Sequence, residues 1–170
     1  MADYQDILYD ETDGVATITF NRPEKLNAFR LGTYDEVIDA LLTAGWNRDI
    51  GVVVLQGAGG KAFGVGGDSG DKKDQRKGRG TIGVPVEGIH AAIRDIPKPV
   101  IAKVQGYAIG GGNVIATLCD LTIAGESAVF GQVGPKVGSV DPGFTLLGIE
   151  LWSQRPPGGA PRLVAGELGY

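Results

Sequence analysis

The chain has 170 residues, 42% of them hydrophobic and 21% charged, with a net charge of −4. That is one domain's worth of ordinary globular sequence, which excludes a disordered tail and argues against nucleic acid as a partner. No apolar run approaches the ~20 residues of a membrane span; the acidic start Met1-Ala2-Asp3 is unlike a signal peptide; and Cys119 alone offers no disulfide framework, so the expected compartment is the cytoplasm.

In chain order, Ile7 to Tyr9 and Val15 to Phe20 read as two strands joined by a turn at Asp13-Gly14. Asn21-Arg22-Pro23-Glu24 breaks the pattern. Thr33 to Trp46 carries Val37, Ile38, Leu41 and Leu42 at the spacing of one helix face. Gly51 to Gln56 is a continuous apolar run and predicts a strand buried on both faces. Ser69 to Gly80 is charge-rich and reads as a solvated loop. Val86 to Arg94 predicts a helix, Pro99 to Val104 another buried strand, Asn113 to Leu118 a short helix, and Leu121 to Ala124 a last strand. The order of elements indicates an α/β layered fold. From Thr145 onward no period survives, most clearly in Gln154-Arg155-Pro156-Pro157-Gly158-Gly159.

Glycine is the outlier, 29 residues against a usual share of about 7%. Two clusters stand out, Gly64-Val65-Gly66-Gly67-Asp68 and Gly110-Gly111-Gly112-Asn113. Each is expected to follow a β-branched strand and to set bare N–H groups at the mouth of a sheet. The second precedes a helix, whose first amides lack partners and whose dipole favours an anion; a tight packing turn would need the same residues. A third cluster, Gly57-Ala58-Gly59-Gly60-Lys61-Ala62, has the spacing of a dinucleotide fingerprint. The fingerprint needs a helix to open inside it, and the glycines that follow argue against one. The phosphate-binding P-loop pattern fails at Ala62. His90 reads as a structural histidine and Cys119 as a small buried hydrophobe. No His, Cys, Asp and Glu cluster has metal-ligand spacing.

Taken together, Ala62 to Asp68, Pro97-Lys98-Pro99-Val100-Ile101-Ala102 and Gln105 to Gly112, with Asn21-Arg22-Pro23 and Asn27-Ala28-Phe29, resemble the crotonase (enoyl-CoA hydratase/isomerase) superfamily over residues 7 to 144. The resemblance implies a spiral of ββα units, a coenzyme A thioester as substrate, and an oxyanion hole from the N–H groups of Gly67 and Gly111. It implies that Val65, Gly66, Asp68, Ser69, Tyr107 and Gly110 line the acyl-CoA channel. Lys72, Lys73, Arg76 and Lys77 could meet CoA phosphates or be solvated surface. Superfamily hydratases carry two glutamates, and the corresponding positions here are Val114 and Gly134, which disfavours hydration.

Phe130 to Asp141 resembles two sister groups, the dihydroxynaphthoyl-CoA synthases and the 2-ketocyclohexanecarboxyl-CoA hydrolases. Gly78 to His90, with Asp141-Pro142-Gly143-Phe144, is more similar to the hydrolases. The implied reaction is ring-opening hydrolysis of a cyclic β-keto acyl-CoA to a dicarboxylic acyl-CoA, as in alicyclic degradation. Asp141 would handle the water's proton and Ser139 would assist it. Gln132 and Gly134 match synthase positions that hold a bicarbonate; no other cofactor is implied beyond CoA as part of the substrate. The family forms homotrimers and hexamers through C-terminal helices absent from this pattern. Residues 1–144 are expected to be the crotonase core. Residues 145–170 are expected to be a non-family tail, such as a frameshift or truncation leaves. Ring closure, an inactive crotonase fragment and a nucleotide-binding module at Gly57 to Ala62 remain the alternatives.

Overall fold

The computed structural model describes residues 3–68, 70 and 85–133. It opens with the predicted hairpin, β1 (Ile7–Thr12) antiparallel to β2 (Val15–Phe20), with Ile7 opposite Phe20 and Thr12 opposite Val15. Asp13 and Gly14 both take positive φ, 51° and 79°, the geometry that lets a two-residue turn follow the twist of its strands. β1 outruns its apolar pattern because pairing with β2, not burial, carries Asp10 to Thr12.

The first helix, α1 (Leu31–Trp46), starts two residues before the predicted Thr33. Its buried stripe is Thr33, Tyr34, Val37, Ala40, Leu41, Ala44 and Gly45. The predicted face is therefore rotated: Leu42 is 40% exposed, and Ile38 sits at the margin of the core. Small residues define the true face because the helix packs close. A Cβ on Gly45 would come within 2.3 Å of Ile96.

Three more strands complete a large sheet in the order β1-β2-β3-β5-β7, in which β3 (Val52–Gly57), β5 (Val100–Val104) and β7 (Leu121–Ala124) run parallel to β2. One face of β3 is sealed by Val53 and Leu55, whereas Val52 and Val54 are half-buried. Burial on both faces is thus corrected to burial on one. Lys103 of β5 and all of β7 are exposed. A single core joins Ile18, Phe20, Val53, Leu55 and Ala102 of the sheet to Val37, Leu41, Ile89 and Ile115 of the helices. No described helix is long and apolar enough to cross a membrane.

A second sheet carries no periodic signal. The fourth strand of the chain, β4 (Ala62–Gly64), with β6 (Tyr107–Ile109) and β8 (Val129–Gly131), forms it; each has three residues, and they pair parallel in that order. The chain therefore repeats a unit. A long strand of the first sheet is followed by a short strand of the second, then by a helix: β3, β4 and α2 (Val86–Asp95), next β5, β6 and α3 (Gly111–Leu118), next β7 and β8. This is the expected α/β arrangement of ββα units. It also corrects the origin of the glycine turns, which leave the short strands β4 and β6 rather than the β-branched runs. Gly57 to Lys61 links β3 to β4 with no helix in between, so the dinucleotide fingerprint lacks its defining context. The loop at Ser69 to Gly80, apart from Gly70, and the boundary at 144 lie outside the described residues.

Candidate active site

The first glycine turn is held by residues that precede it by a whole unit of the fold. Asn27 is 1% exposed with φ of 55°, a conformation asparagine tolerates better than most residues. Its Oδ1 accepts from the Arg22 N–H at 2.9 Å, and its Nδ2 donates to Ala58 O at 3.0 Å and Ala62 O at 2.7 Å. That ties the segment before the turn to the entry of β4. Arg22 then reaches the other end of the turn. Its Nη1 donates to Ala28 O at 2.7 Å and its Nη2 to Asp68 Oδ2 at 2.8 Å.

Asp68 takes a second hydrogen bond on Oδ1 from the Gly70 N–H, at 2.9 Å. That bond, then the Arg22 guanidinium, holds its carboxyl below the usual carboxylate range. Behind Arg22 lies Asp6, 2% exposed. Arg30 grips it in a fork, Nε to Oδ2 and Nη2 to Oδ1, both at 2.6 Å, and Thr33 Oγ1 donates to it at 2.6 Å. Burial alone would raise the Asp6 pKa; the bonds from Arg30 and Thr33, with the charges of Arg30 and Arg22, outweigh it and hold the group low.

Phe29 sets the direction of the turn's backbone. It forms a parallel bridge with Gly67, in which the Phe29 N–H donates to Gly66 O at 2.7 Å and the Asp68 N–H donates to Phe29 O at 2.8 Å. In such a bridge the residue between the two bonded neighbours turns its own N–H to the opposite side. Gly67 is that residue. Among the described residues, a Cβ built on it meets nothing within 4 Å.

The second turn lies against the first. A Cβ on Gly66 would stand 3.0 Å from the Gly111 N, and one on Gly111 would stand 3.2 Å from the Gly66 Cα. Below them, a Cβ on Gly112 would stand 2.0 Å from Gly64 O. Only glycine allows backbones to approach so closely. The Gly110 N–H donates to Gly131 O at 2.9 Å, which fixes the turn to β8. Gly111 is the first residue of α3, two residues earlier than the predicted start. Its N–H belongs to the first helical turn, which has no intrahelical acceptor and carries the positive end of the dipole. Among the described residues no backbone carbonyl accepts from the Gly67 or Gly111 N–H. Two open main-chain donors on touching turns can each take a carbonyl or anionic oxygen.

The structure thus brings together Val65, Gly66, Gly67, Gly110, Gly111 and Gln132. The side-chain oxygen of Gln132 and the carbonyl of Val65 lie 3.8 and 4.0 Å from a Cβ built on Gly110. Asp68 belongs to the turn, but its carboxylate is engaged by Arg22 and Gly70. Tyr107, on β6, is 48% exposed, and its N–H donates to Lys61 O at 3.0 Å. Val114, at one of the two glutamate positions, is 3% exposed in α3. Ser69, Gly134, Ser139 and Asp141, like Lys72, Lys73, Arg76 and Lys77, lie outside the described residues. Cys119 is buried, and burial pushes its thiol up to about 12. His90 is half-buried on α2. The supporting residues Arg22, Asn27 and Phe29 entered the sequence reading only as a motif, without these tasks. Tyr34 did not enter it at all. A Cβ on Gly111 would lie 3.7 Å from its hydroxyl.

Residues 10–150 match the family model described as enoyl-CoA hydratase/isomerase. Among solved structures, an enoyl-CoA hydratase/isomerase from Xanthobacter autotrophicus is 34% identical with a TM-score of 0.70, over 79% of this chain and 51% of that one. An enoyl-CoA hydratase from Mycobacterium avium subsp. paratuberculosis is 31% identical with a TM-score of 0.69, over 81% of this chain and 54% of that one. One from Bacillus anthracis is 32% identical with a TM-score of 0.69, with the same two coverages of 81% and 54%. The chain therefore spans about half the length of these structures.

Proposed function

This chain belongs to the enoyl-CoA hydratase/isomerase family, and within it we propose that the chain acts on a coenzyme A thioester whose carbonyl oxygen sits between the N–H groups of Gly67 and Gly111. The observation that carries this reading is the pair of open main-chain donors on two turns in contact. Negative charge on the thioester oxygen grows as an enolate forms, so donors fixed in advance bind the transition state more tightly than the ground state. Losing one donor of this kind typically costs about 10² to 10³ in rate.

The reaction is ring-opening hydrolysis of a cyclic β-keto acyl-CoA. Water adds to the ring ketone and its proton passes to Asp141, with Ser139 orienting the group. The bond between the ketone carbon and the thioester α-carbon then breaks, and its electron pair becomes the enolate held by Gly67 and Gly111. Reprotonation at the α-carbon gives a dicarboxylic acyl-CoA, one water heavier than the substrate. Two features support this choice over hydration. Val114 stands where hydratases of the superfamily carry a glutamate, and Asp68, the carboxylate at the first turn, is occupied by Arg22 and Gly70. The segment from Phe130 to Asp141 is shared with ring-closing synthases, in which a bicarbonate near Gln132 and Gly134 would serve as base.

The test is to incubate the chain with 2-ketocyclohexanecarboxyl-CoA and follow the product by mass spectrometry. Gain of one water is expected, and Asp141→Asn should abolish it while CoA-ester affinity stays nearly intact. Turnover retained by Asp141→Asn removes Asp141 from the mechanism. A thermal-shift series with acyl-CoA esters and NAD separates thioester binding from nucleotide binding, since only a bound ligand raises the melting point.

A further inference from the structure

The Tyr34 side chain is at odds with its surroundings. The residue is 5% exposed on the buried face of α1, and its ring packs edge-on against Phe29, centroids 5.8 Å apart and planes at 75°. Phe29 in turn stacks on Phe20, whose other neighbour is Phe63. Phenylalanine would serve this aromatic cluster equally well. The hydroxyl makes no hydrogen bond to the described residues, and it is not among their fully buried unpaired side-chain atoms, so the little of Tyr34 that stays open includes its polar tip. It stands at the seam of the two glycine turns, 3.7 Å from a Cβ built on Gly111, a point also 3.2 Å from Gly66 Cα. Burial pushes its pKa up to about 12, so it remains a neutral O–H donor at any working pH.

We propose that Tyr34 is a specificity-determining residue of this site, its hydroxyl donating to an oxygen on the acyl group of the bound thioester. This rests on the thioester reading above, in which that oxygen is the ring ketone. An unpaired donor beside Gly111 disfavours acyl groups that leave it unmet and favours those that supply an acceptor, and a polar site discriminates in this way. It adds a third donor, from a side chain, to the two from the backbone. The ligand class it selects is an oxygenated acyl-CoA rather than a plain alkyl one.

The test compares Tyr34→Phe with its parent, both carrying Asp141→Asn so that ligand is not consumed. Affinities are measured for 2-ketocyclohexanecarboxyl-CoA and for cyclohexanecarboxyl-CoA, the same thioester without the ketone. The parent should prefer the keto ester, and Tyr34→Phe should lose about fivefold to tenfold of that preference, the worth of one neutral hydrogen bond. The loss should fall on the keto ester alone, and the ligand-free melting point should hold because the hydroxyl has no hydrogen bond to the described residues to lose. An unchanged preference, an equal loss for both esters, or a clearly lower melting point overturns the proposal while leaving the thioester reading intact. If the parent binds neither ester, that reading fails and this one with it.

Discussion

Gly112→Ala is the sharpest probe of how the two glycine turns are joined. The new Cβ would stand 2.0 Å from Gly64 O, 2.6 Å from Gly64 C and 3.1 Å from Gly64 Cα. Ordinary contact begins near 3.4 Å, so the start of α3 and the end of β4 must separate by over an ångström. The obstacle is backbone, with no flexible side chain to swing aside. Overpacking of this kind costs typically 1–3 kcal/mol, and a backbone obstacle argues for the upper end. For a chain of this size about 3 kcal/mol lowers Tm by roughly 6–12 °C. The functional loss should be larger than the stability loss suggests, because each displaced donor is worth about 10² to 10³ in rate. Gly67→Ala is the control: its Cβ meets no described residue within 4 Å, so Tm should be nearly unchanged. Differential scanning fluorimetry and turnover of the keto ester at temperatures below both transitions give the two numbers. A Gly112→Ala protein with native Tm and native turnover refutes the argument that this contact sets the spacing of the donors.

Two further outcomes follow from the ionic frame. Arg22→Ala deprives Asp68 of its guanidinium and Ala28 O of its donor. Urea denaturation should show a loss of about 2–3 kcal/mol, short of the 3–5 of a sealed pair because water reaches both partners; acyl-CoA affinity should fall as well, and unchanged affinity removes Arg22 from the support of Gly67. Asp6 and Asp68 are both held below the usual range. The stability they provide is therefore fully present about a pH unit above the unfolded carboxyl value of about 3.9, and it is lost progressively as pH falls through that value and then through their folded values. Tm followed downward from pH 6 should decline below about pH 5, and a flat profile to pH 3 contradicts this account.

The large elements were legible because each has enough residues to carry a period. Val15 to Phe20 and Val86 to Arg94 were placed to within a residue at each end. Where packing is close, hydrophobicity misleads in part: Val37 and Leu41 are core as expected, but Leu42 is exposed, and Ala40, Ala44 and Gly45 complete the contact face. The second sheet was invisible because three residues define no alternation, and β4 and β8 each end in glycine. The two glycine clusters were legible as turns, although a tight packing turn needs the same residues and local sequence does not separate that use from an anion site. Their support was not legible. Arg22 and Asp68 are 46 residues apart, and no local rule joins them. For Tyr34 a signal existed, an aromatic with a polar tip three residues before Val37 on one helix stripe, but helix periodicity treats it as another apolar ring.

The bridge between Phe29 and Gly67 makes the first glycine turn a poor candidate for transplantation. Its five residues, Gly64 to Asp68, could be grafted into another loop with their sequence intact. The direction of the Gly67 N–H would not travel with them, because it is imposed by the two hydrogen bonds of Phe29. Phe29 is itself anchored in the aromatic cluster with Phe20 and Tyr34. The smallest portable unit therefore runs from the hairpin to the start of α3, and an engineer moving the donor must move the core with it.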